Sequence, residues 1–356
     1  MNRIERVIDN MKKNNIYQFI ITDDKAIYYL TNIKIHPGER FLGLYINIDN
    51  KVCLINNILF PLTNPKLDVL FYSDTESAIE KMSYFINKNE ALGIDKYMPS
   101  RFLIEMIERN VAKNYFNGSY LIDYIIMKKD SEEIAKMIKA SEINDATMKD
   151  IIDFIKPGMK EIEVLEELKS LYIKNGTNEG FSFTPIIGYA SNAANPHHNT
   201  GDTVIGNSGC LVIDTGCIHN EYCSDMTRTI FLGEPSKEGR EIYNIVKTAN
   251  EMAIEGVKPG VKFSDIDNIA RSYIKEKGYG EYFTHRTGHS IGMSVHEYGD
   301  VSSIHHKELE EGMIFSIEPG IYYDKANVGV RIEDLILVTK DGYKNLNSFT
   351  KELIVK

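Results

Sequence analysis

One phrase of the sequence occurs twice, and its repetition constrains the fold more than any other feature. Lys156-Pro157-Gly158 recurs 102 residues later as Lys258-Pro259-Gly260, and Gly176 and Gly278 are separated by the same interval. In both copies, the stretch between Lys-Pro-Gly and the later glycine has the same length and is expected to be helical. The glycine that ends it is suited to a C-terminal cap. Solenoid repeats recur every ~20–50 residues, so this period is too long for a solenoid. We therefore expect two similar half-domains, each a pair of helices followed by strands, related by a pseudo-two-fold axis.

Composition excludes several classes of protein. The 356 residues are enough for two globular units, and 43% apolar with 26% charged residues are enough for sizeable cores. The net charge of -10 disfavours a protein that neutralises nucleic-acid phosphates, so we expect no nucleic-acid partner. Four cysteines are too few for a disulfide scaffold, which indicates a reducing compartment, the cytoplasm. We expect no membrane association, because no apolar run approaches the ~20 residues of a membrane helix.

The front of the chain alternates short apolar runs with turn residues, as α/β units do. Strands are predicted at residues 17–21, 41–48 and 52–55, the last two joined as a hairpin, and a helix is predicted at residues 101–111. We find no reactive cluster in this part of the sequence and interpret it as a support domain.

A domain boundary is expected near Asp130. Asp130 and Glu133 have the spacing of a capping box, and the residues that follow carry apolar side chains at helical spacing. We therefore assign a support domain to residues 1–125 and a second domain to residues 126–356.

Two carboxylates stand at the ends of apolar strands in the first repeat. Asp214 ends the run Leu211-Val212-Ile213, and Asp225 lies in Ser224-Asp225-Met226-Thr227-Arg228-Thr229. A carboxylate at the mouth of a buried strand is costly to desolvate unless it is paired or binds a cation. Strands joined by a turn could direct Asp214 and Asp225 at one ion.

The second repeat supplies one imidazole and two further carboxylates. His289 lies in Thr287-Gly288-His289, Glu318 in Ile317-Glu318-Pro319, and Glu333 in Arg331-Ile332-Glu333-Asp334. Such an oxygen-rich, thiolate-free set with one histidine suits manganese, cobalt or iron better than zinc. Five ligands are enough for two divalent ions, which together could activate a water for hydrolysis.

Two histidines could supply the hydrogen-bond donors that amide cleavage needs. His197 lies in a loop rich in proline and asparagine before the Asp214 strand, and His296 follows His289 closely. Such donors would stabilise the developing oxyanion and the leaving nitrogen.

Cys217, His219 and Cys223 form an alternative metal-binding set, a zinc knuckle. Their spacing is unusual, and the knuckle would compete for the turn between the Asp214 and Asp225 strands. We favour the interpretation that these cysteines are reduced and packed.

The ordered series of these five ligands resembles the metallopeptidase family with the pita-bread fold. This family includes Xaa-Pro dipeptidases (prolidases), Xaa-Pro aminopeptidases and methionine aminopeptidases. The resemblance extends from about residue 130 to the end and is most specific in the Ser-Asp-Met-Thr-Arg-Thr and Arg-Ile-Glu-Asp stretches. The front domain resembles the creatinase-like unit of prolidases and Xaa-Pro aminopeptidases. The implied fold is α/β (α+β), with an N-terminal creatinase-like domain followed by a pita-bread catalytic domain.

The resemblance implies a role for each metal ligand. It implies that Asp214 and Asp225 bind one ion, that His289 binds the other, and that Asp225 and Glu333 help to bridge them. Glu318 would be both a ligand and the general base.

The resemblance also implies roles for the side chains around the metal ligands. His197 and His296 would contact the scissile amide and the tetrahedral intermediate. His285 and Arg331 would act with His296 in substrate binding.

The implied activity is hydrolysis of the Xaa-Pro bond at the N terminus of dipeptides or short proline-containing peptides. Two divalent ions, foremost Mn²⁺ with Co²⁺ or Fe²⁺ as alternatives and Zn²⁺ less suited, would be the cofactors. The resemblance further implies a homodimer paired through the front domain.

Three alternatives share this fold. A methionine-aminopeptidase-like enzyme fits less well, because those enzymes lack the front domain. Creatine amidinohydrolases and non-catalytic binding proteins of this fold have lost metal ligands, whereas all five ligands are present in this sequence.

The chain departs from the family after His296-Glu297. The family commonly has a proline two residues further on, whereas this chain has Tyr298-Gly299-Asp300. Glycine frees the backbone angles of this loop. The departure bears on the shape of the leaving-group pocket and on the preference between dipeptides and longer peptides.

Overall fold

A computed structural model describes residues 2–356 of the chain. The described chain divides into two compact units, a first unit that ends at Ile126 and a second unit that runs from Met127 to Lys356. Across residues 2–356, every helix is too short or too polar to cross a bilayer.

The first unit consists of a mixed sheet and the helices packed on it. Its strands are β1 (Gln18–Ile21), β2 (Gly43–Asn47), β3 (Val52–Asn57), β4 (Asp68–Tyr72), β5 (Leu92–Ile94) and β6 (Tyr115–Asn117). Its helices are α1 (Arg3–Lys13), α2 (Asp24–Thr31), α3 (Ala78–Ser83), α4 (Ser100–Glu108) and α5 (Tyr120–Met127). The strand order is β4-β3-β2-β1-β5-β6, in which β1–β2 and β2–β3 are antiparallel. Ile20 and Tyr45 of the sheet pack with Ile79, Met82 and Met106 of the helices.

The predicted hairpin joins β2 and β3 in the first unit. Asn47, the last residue of β2, accepts hydrogen bonds through Oδ1 from the backbone N–H groups of Asp49 and Lys51, at 3.1 and 2.9 Å. Asn50 has a positive φ of 65°, a conformation that asparagine tolerates in tight turns. The elements β1, β2, β3 and α4 correspond to the predicted segments, with ends displaced by at most three residues.

The second unit contains the helices and strands of the predicted duplication. Its helices are α6 (Ser131–Phe154), α7 (Glu161–Asn175), α8 (Lys237–Glu255) and α9 (Phe263–Glu276). The strands of its first half are β7 (Ile186–Tyr189), β8 (Gly209–Thr215), β9 (Ile218–His219), β10 (Tyr222–Cys223) and β11 (Met226–Leu232). The strands of its second half are β12 (Gly288–Ser290), β13 (Glu297–Val301), β14 (Ile314–Ile317), β15 (Gly320–Tyr323), β16 (Val328–Arg331), β17 (Asp334–Val338) and β18 (Tyr343–Asn345).

The capping box predicted at Asp130 begins α6. The Asp130 carboxylate accepts hydrogen bonds from the backbone N–H groups of Glu132 and Glu133, both at 3.0 Å. In return, Glu133 Oε2 accepts the Asp130 N–H at 2.8 Å. These bonds satisfy backbone donors that the first turn of a helix leaves unpaired.

The two halves of the second unit repeat the same backbone contacts. The Gly158 N–H donates to the Ile205 carbonyl at 2.8 Å, and the Gly260 N–H donates to the Leu309 carbonyl at 2.9 Å. Both glycines have positive φ, 94° and 85°, which other residues rarely adopt. The strand orders β11-β8-β7 and β17-β14-β12 correspond as well. The duplication predicted from the repeated phrase is therefore present.

Each half has an apolar core between its helices and its sheet. In the first half, α6 and α7 pack on β8 through a cluster that includes Ile151, Leu168 and Ile213. In the second half, α8 and α9 pack on β14 through a cluster that includes Phe263 and Phe315. Burial of these side chains fixes β8 and β14, whose ends carry candidate metal ligands.

Candidate active site

The five candidate metal ligands lie in or beside strands from both halves of the second unit. Asp214 is in β8, Asp225 immediately precedes β11, His289 is in β12, Glu318 follows β14, and Glu333 lies between β16 and β17. The antiparallel pairing of β8 and β11 places Thr227 opposite Asp214. The Glu333 N–H donates to the Thr227 carbonyl at 3.1 Å, which joins the second half to the first.

Four of these ligands approach one another within a few ångströms. His289 Nε2 is 3.4 Å from Glu318 Oε1 and 3.7 Å from Asp225 Oδ2. Asp225, His289 and Glu333 each offer one ligand atom, and these atoms all lie within 4.8 Å of one another. Such separations suit nitrogen and oxygen atoms that share a cation rather than bond to each other.

Asp214, the fifth candidate ligand, lines the same cavity as the other four. Its Oδ2 is 2.5 Å from Nη2 of Arg331, so one of its oxygens is already paired. Oδ1 of Asp214, Oδ1 of Asp225 and Oε1 of Glu333 are buried and have no hydrogen-bond donor among residues 2–356. A buried unpaired carboxylate oxygen is costly, and a bound cation would remove the cost. The donor set therefore fits divalent metal ions.

The electrostatics of the site lead to the same conclusion. Burial, together with neighbouring carboxylates, raises the pKa of Asp225 and of Glu333 well above the usual range. Burial also raises the pKa of Glu318 to about 7. Burial and the nearby His296 lower the pKa of His289 to about 3, which keeps its imidazole neutral and able to bind a metal. A divalent cation would oppose the shifts of the carboxylates, because it favours their charged forms.

Hydroxyl groups hold two of the carboxylates in place. Thr227 Oγ1 donates to Glu333 Oε2 at 2.7 Å, and Ser316 Oγ donates to Glu318 Oε1 at 3.2 Å. Ser316 Oγ also accepts the His289 N–H at 3.0 Å. Such outer contacts fix the orientation of the side chains that would ligate a metal.

All nine sequence-predicted site residues line one cavity of about 450 Å³. They are the five candidate ligands together with His197, His285, His296 and Arg331. Residues that the sequence did not single out also line it, and most are apolar. They are Phe183, Ile186, Pro196, Val295 and Arg286.

Tyr322 joins Arg331 to His285. Arg331 Nη1 donates to the Tyr322 hydroxyl at 2.9 Å, and that hydroxyl lies 2.7 Å from His285 Nε2. His285 Nδ1 lies 2.6 Å from the Arg286 carbonyl, which can only accept, so Nδ1 carries the proton. Tyr322 then donates to Nε2 of a neutral imidazole. This agrees with burial lowering the pKa of His285 to about 4.

The two candidate donor histidines reach the cavity from different elements. His296 lies just before β13, and its ring centre is 4.3 Å from that of His289 in an edge-on arrangement. His197 lies in the segment between β7 and β8, and its backbone N–H donates to Asn195 Oδ1 at 3.1 Å. Burial lowers the pKa of His296, which favours the neutral ring.

The segment that departs from the family pattern contacts Arg286, which lines the cavity. Asp300 Oδ1 accepts a hydrogen bond from Arg286 Nη1 at 2.6 Å, and both side chains are partly exposed. Gly299 has a φ of 122°, and an added Cβ would approach Ser290 Oγ to 2.3 Å. Glycine is therefore required in this conformation, in which its carbonyl accepts a hydrogen bond from Ser290.

The zinc knuckle considered from the sequence is not formed in the described chain. Cys217 and Cys223 are buried, and their thiols face different partners. Cys217 Sγ lies 3.4 Å from Ser224 Oγ, whereas Cys223 Sγ lies 3.7 Å from the Met293 carbonyl.

Comparisons with known proteins match both parts of the chain. Residues 135–340 match metallopeptidase family M24, and residues 3–125 match the Creatinase/Prolidase N-terminal domain. An uncharacterized peptidase of Staphylococcus aureus strain USA300 is 37% identical over 358 residues, covering 99% of this chain and 100% of the relative.

Solved structures are similar over nearly the whole chain. The prolidase from Pyrococcus horikoshii OT3 has a TM-score of 0.90 and 34% identity, covering 99% of each chain. The X-Pro aminopeptidase from Thermotoga maritima MSB8 has a TM-score of 0.85 and 29% identity, covering 100% of each chain.

Proposed function

Because this chain belongs to metallopeptidase family M24 and has a Creatinase/Prolidase N-terminal domain, we propose that it cleaves the Xaa-Pro bond of dipeptides. It is a metallopeptidase, a hydrolase, and proline-containing dipeptides are the substrate class proposed for it. The observation that carries the proposal is the convergence of Asp225, His289, Glu318 and Glu333 in one cavity that also contains apolar walls.

Two divalent metal ions, foremost Mn²⁺, are the proposed cofactors. Asp214 and Asp225 would hold one ion, His289 would hold the other, and Asp225 and Glu333 would help to bridge them. Glu318 would be a further ligand. Bound ions would polarise the scissile carbonyl and lower the pKa of the attacking water. The absence of thiolate from this set favours manganese, cobalt or iron over zinc.

Glu318 is proposed as the general base. Its Oε1 is held by Ser316 Oγ at 3.2 Å, and its side chain lines the cavity. A carboxylate fixed beside the attacking water can take up a proton from it and release it again. Glu318 would therefore receive a proton from the attacking water at a carboxylate oxygen.

His197 and His296 are the proposed donors to the reacting amide. Both line the cavity, and a neutral imidazole can donate one hydrogen bond to the oxygen on which charge develops. His285 and Arg331 are proposed to support substrate binding through Tyr322, which receives a hydrogen bond from Arg331 and donates one to His285.

Apolar walls favour a proline substrate. The nitrogen of an Xaa-Pro bond carries no N–H, so the site need not accept a hydrogen bond there. Phe183, Ile186 and Val295 can instead contact the pyrrolidine ring, because all three line the cavity.

Arg286 supports a dipeptidase over an aminopeptidase. It lines the cavity, and it is the candidate group for binding the C-terminal carboxylate of a dipeptide. A longer peptide would place an amide rather than a carboxylate near Arg286.

We also propose a homodimer located in the cytoplasm, with residues 1–125 as the pairing domain and residues 126–356 as the catalytic domain. Three apolar side chains support pairing through the first unit: Ile58 and Leu59 are more than half exposed, and Phe71 on strand β4 is 38% exposed. Strand β4 is at an edge of the sheet, where unpaired backbone groups can meet a second copy. Analytical ultracentrifugation of the full chain tests whether it forms a dimer.

A comparison of substrates tests the proposed function. The protein loaded with Mn²⁺ should hydrolyse an Xaa-Pro dipeptide faster than the corresponding Xaa-Pro-Yaa tripeptide, and chelation should abolish both activities. Faster cleavage of the tripeptide would favour an Xaa-Pro aminopeptidase. Full activity after exhaustive metal removal would contradict the proposal.

A further inference from the structure

Glu161 is a buried carboxylate outside the residues that line the active-site cavity. It is the first residue of α7, and 0% of its surface is exposed. Removing an ionised carboxylate from water is costly unless hydrogen bonds replace its hydration. Its hydrogen-bond partners lie at the end of β7 and in residues 190–208, which join β7 to β8 and are called the His197 loop.

One oxygen of Glu161 holds the chain that precedes His197. Glu161 Oε1 accepts hydrogen bonds from the Tyr189 backbone N–H at 2.7 Å and from Asn192 Nδ2 at 2.9 Å. The Asn192 amide also donates to Thr203 Oγ1 at 2.9 Å, so it is held from two directions.

The other oxygen holds the chain that follows His197. Glu161 Oε2 lies 2.8 Å from His198 Nε2 and accepts the Gly201 N–H at 3.4 Å. An ionised carboxylate can only accept, so the His198 ring donates from Nε2. The cavity-lining His197 is therefore flanked by two segments that are fixed to one side chain.

The duplicated half shows that the fold does not need a carboxylate at this position. Phe263 begins α9 as Glu161 begins α7, and their backbone N–H groups donate to the carbonyls of Lys307 and Thr203, at 3.1 and 3.0 Å. Phe263 is also 0% exposed, and its ring stacks on His305 at 4.7 Å. The apolar side chain of Phe263 occupies the corresponding position in the second half. The start of the helix therefore does not require a carboxylate, and the role of Glu161 is particular to the first half.

We infer that Glu161 is a positioning residue that fixes the His197 loop and thereby holds the His197 ring at the substrate. The inference rests on the proposed function, in which His197 donates a hydrogen bond to the reacting amide. Glu161 acts on the reaction only through His197, since it is not among the residues that line the cavity.

Glu161→Gln is the most specific test, because it preserves side-chain volume. All the partners of this carboxylate are donors, and glutamine offers one acceptor oxygen and one NH₂ group. One flank of the loop therefore loses its acceptor. In the Mn²⁺-loaded enzyme, kcat should fall about 10–100-fold, while KM and the Mn²⁺ content per chain stay nearly constant.

A double-mutant cycle with His197→Ala distinguishes positioning from a general loss of stability. Glu161→Gln should lower kcat strongly in the wild-type background and by less than about two-fold in the His197→Ala background. Glu166→Gln, the same change at an exposed glutamate of the same helix, is the matched control and should affect both backgrounds little. Equal losses from Glu161→Gln in both backgrounds would overturn the inference.

Hydrogen exchange separates a failure of this inference from a failure of the proposed function. Amide exchange within residues 190–201 should rise about ten-fold in Glu161→Gln and remain unchanged in Glu166→Gln. Unchanged exchange in Glu161→Gln would overturn the inference. Raised exchange in a protein that cleaves no Xaa-Pro peptide when loaded with Mn²⁺ would support the anchoring and overturn the proposed function.

Discussion

Arg331 and Asp214 form an ion pair in which Nη2 and Oδ2 are 2.5 Å apart and the two side chains are 5% and 12% exposed. The second oxygen of Asp214, Oδ1, has no hydrogen-bond donor within residues 2–356. The positive charge of Arg331 also favours the ionised forms of Asp225, Glu318 and Glu333. The guanidinium fixes Asp214 and leaves Oδ1 available to a cation.

Replacing Arg331 with methionine should destabilise the metal-free protein. The change leaves the carboxylate of Asp214 buried without its partner. Removing one member of a buried ion pair typically lowers the free energy of unfolding by about 3–5 kcal/mol. Saturating Mn²⁺ should restore part of this loss, because a cation substitutes for the missing positive charge. Urea unfolding with and without Mn²⁺ measures both effects.

An exposed pair provides the control for this substitution. Arg240 and Glu234 are 2.9 Å apart, with side chains 48% and 81% exposed, so Arg240→Met should change stability by less than about 1 kcal/mol. Similar free energies of unfolding for Arg331→Met and Arg240→Met would contradict a structural role for the buried pair.

Metal affinity should increase as pH rises from 6 to 8. Burial raises the pKa of Glu318 to about 7 in the metal-free site, and it raises the pKa values of Asp225 and Glu333 as well. Protonated carboxylic acids must lose protons before they bind a cation, so raising the pH removes a competitor of the metal. Calorimetric titration in two buffers of different ionisation enthalpy should detect proton release on Mn²⁺ binding. A pH-independent affinity without proton release would contradict the assignment of these carboxylates as ligands.

Asp225→Asn and His197→Ala should separate metal binding from catalysis. Asp225 lies within the cluster of candidate ligand atoms, so Asp225→Asn should remove bound metal and activity together. His197→Ala should retain metal and lower kcat about 10²–10³-fold, as loss of one oxyanion donor does. Metal analysis and turnover are measured on the same samples, with the exposed Asp153→Asn as a control. Loss of metal from His197→Ala would show that the roles are wrongly assigned.

Arg286→Gln should weaken the binding of dipeptides in particular. If Arg286 binds the product-side carboxylate, its removal should raise KM for an Xaa-Pro dipeptide about 10–100-fold, the effect of a charged hydrogen bond. The corresponding Xaa-Pro amide lacks that charge, so its KM should change little. Equal increases in KM for the acid and the amide would exclude this role.

The four candidate carboxylate ligands are predictable from the sequence because each is a charged side chain in or beside an apolar strand. His289 lies in the middle of the short strand β12 and is identified through the ordered series of ligands that resembles the family. Tyr322 is not predictable in this way, since a tyrosine in the stretch Ile321-Tyr322-Tyr323 is typical of a packed strand. Its contact with Arg331 depends on the pairing of β15 with β16, which places Gly320 opposite Arg331. Glu161 is missed for a similar reason, because a glutamate at a helix start is ordinarily a surface residue.

The ends of elements are predicted less well, for physical reasons that are visible in α4. Val111 continues the apolar pattern and is buried, yet the helix ends at Glu108. Asn110 has a φ of 50°, which ends the helix, and the Val111 N–H donates back to the Met106 carbonyl at 3.0 Å. Val111 is therefore buried by the turn after the helix rather than by the helix.

Anomalous diffraction at the manganese edge from crystals grown with Mn²⁺ tests the two-metal site directly. Two peaks about 3.5–4 Å apart should appear among Asp214, Asp225, His289, Glu318 and Glu333, with Asp225 and Glu333 contacting both. A single peak, or peaks away from these side chains, would contradict the proposal that this cavity holds a pair of catalytic ions.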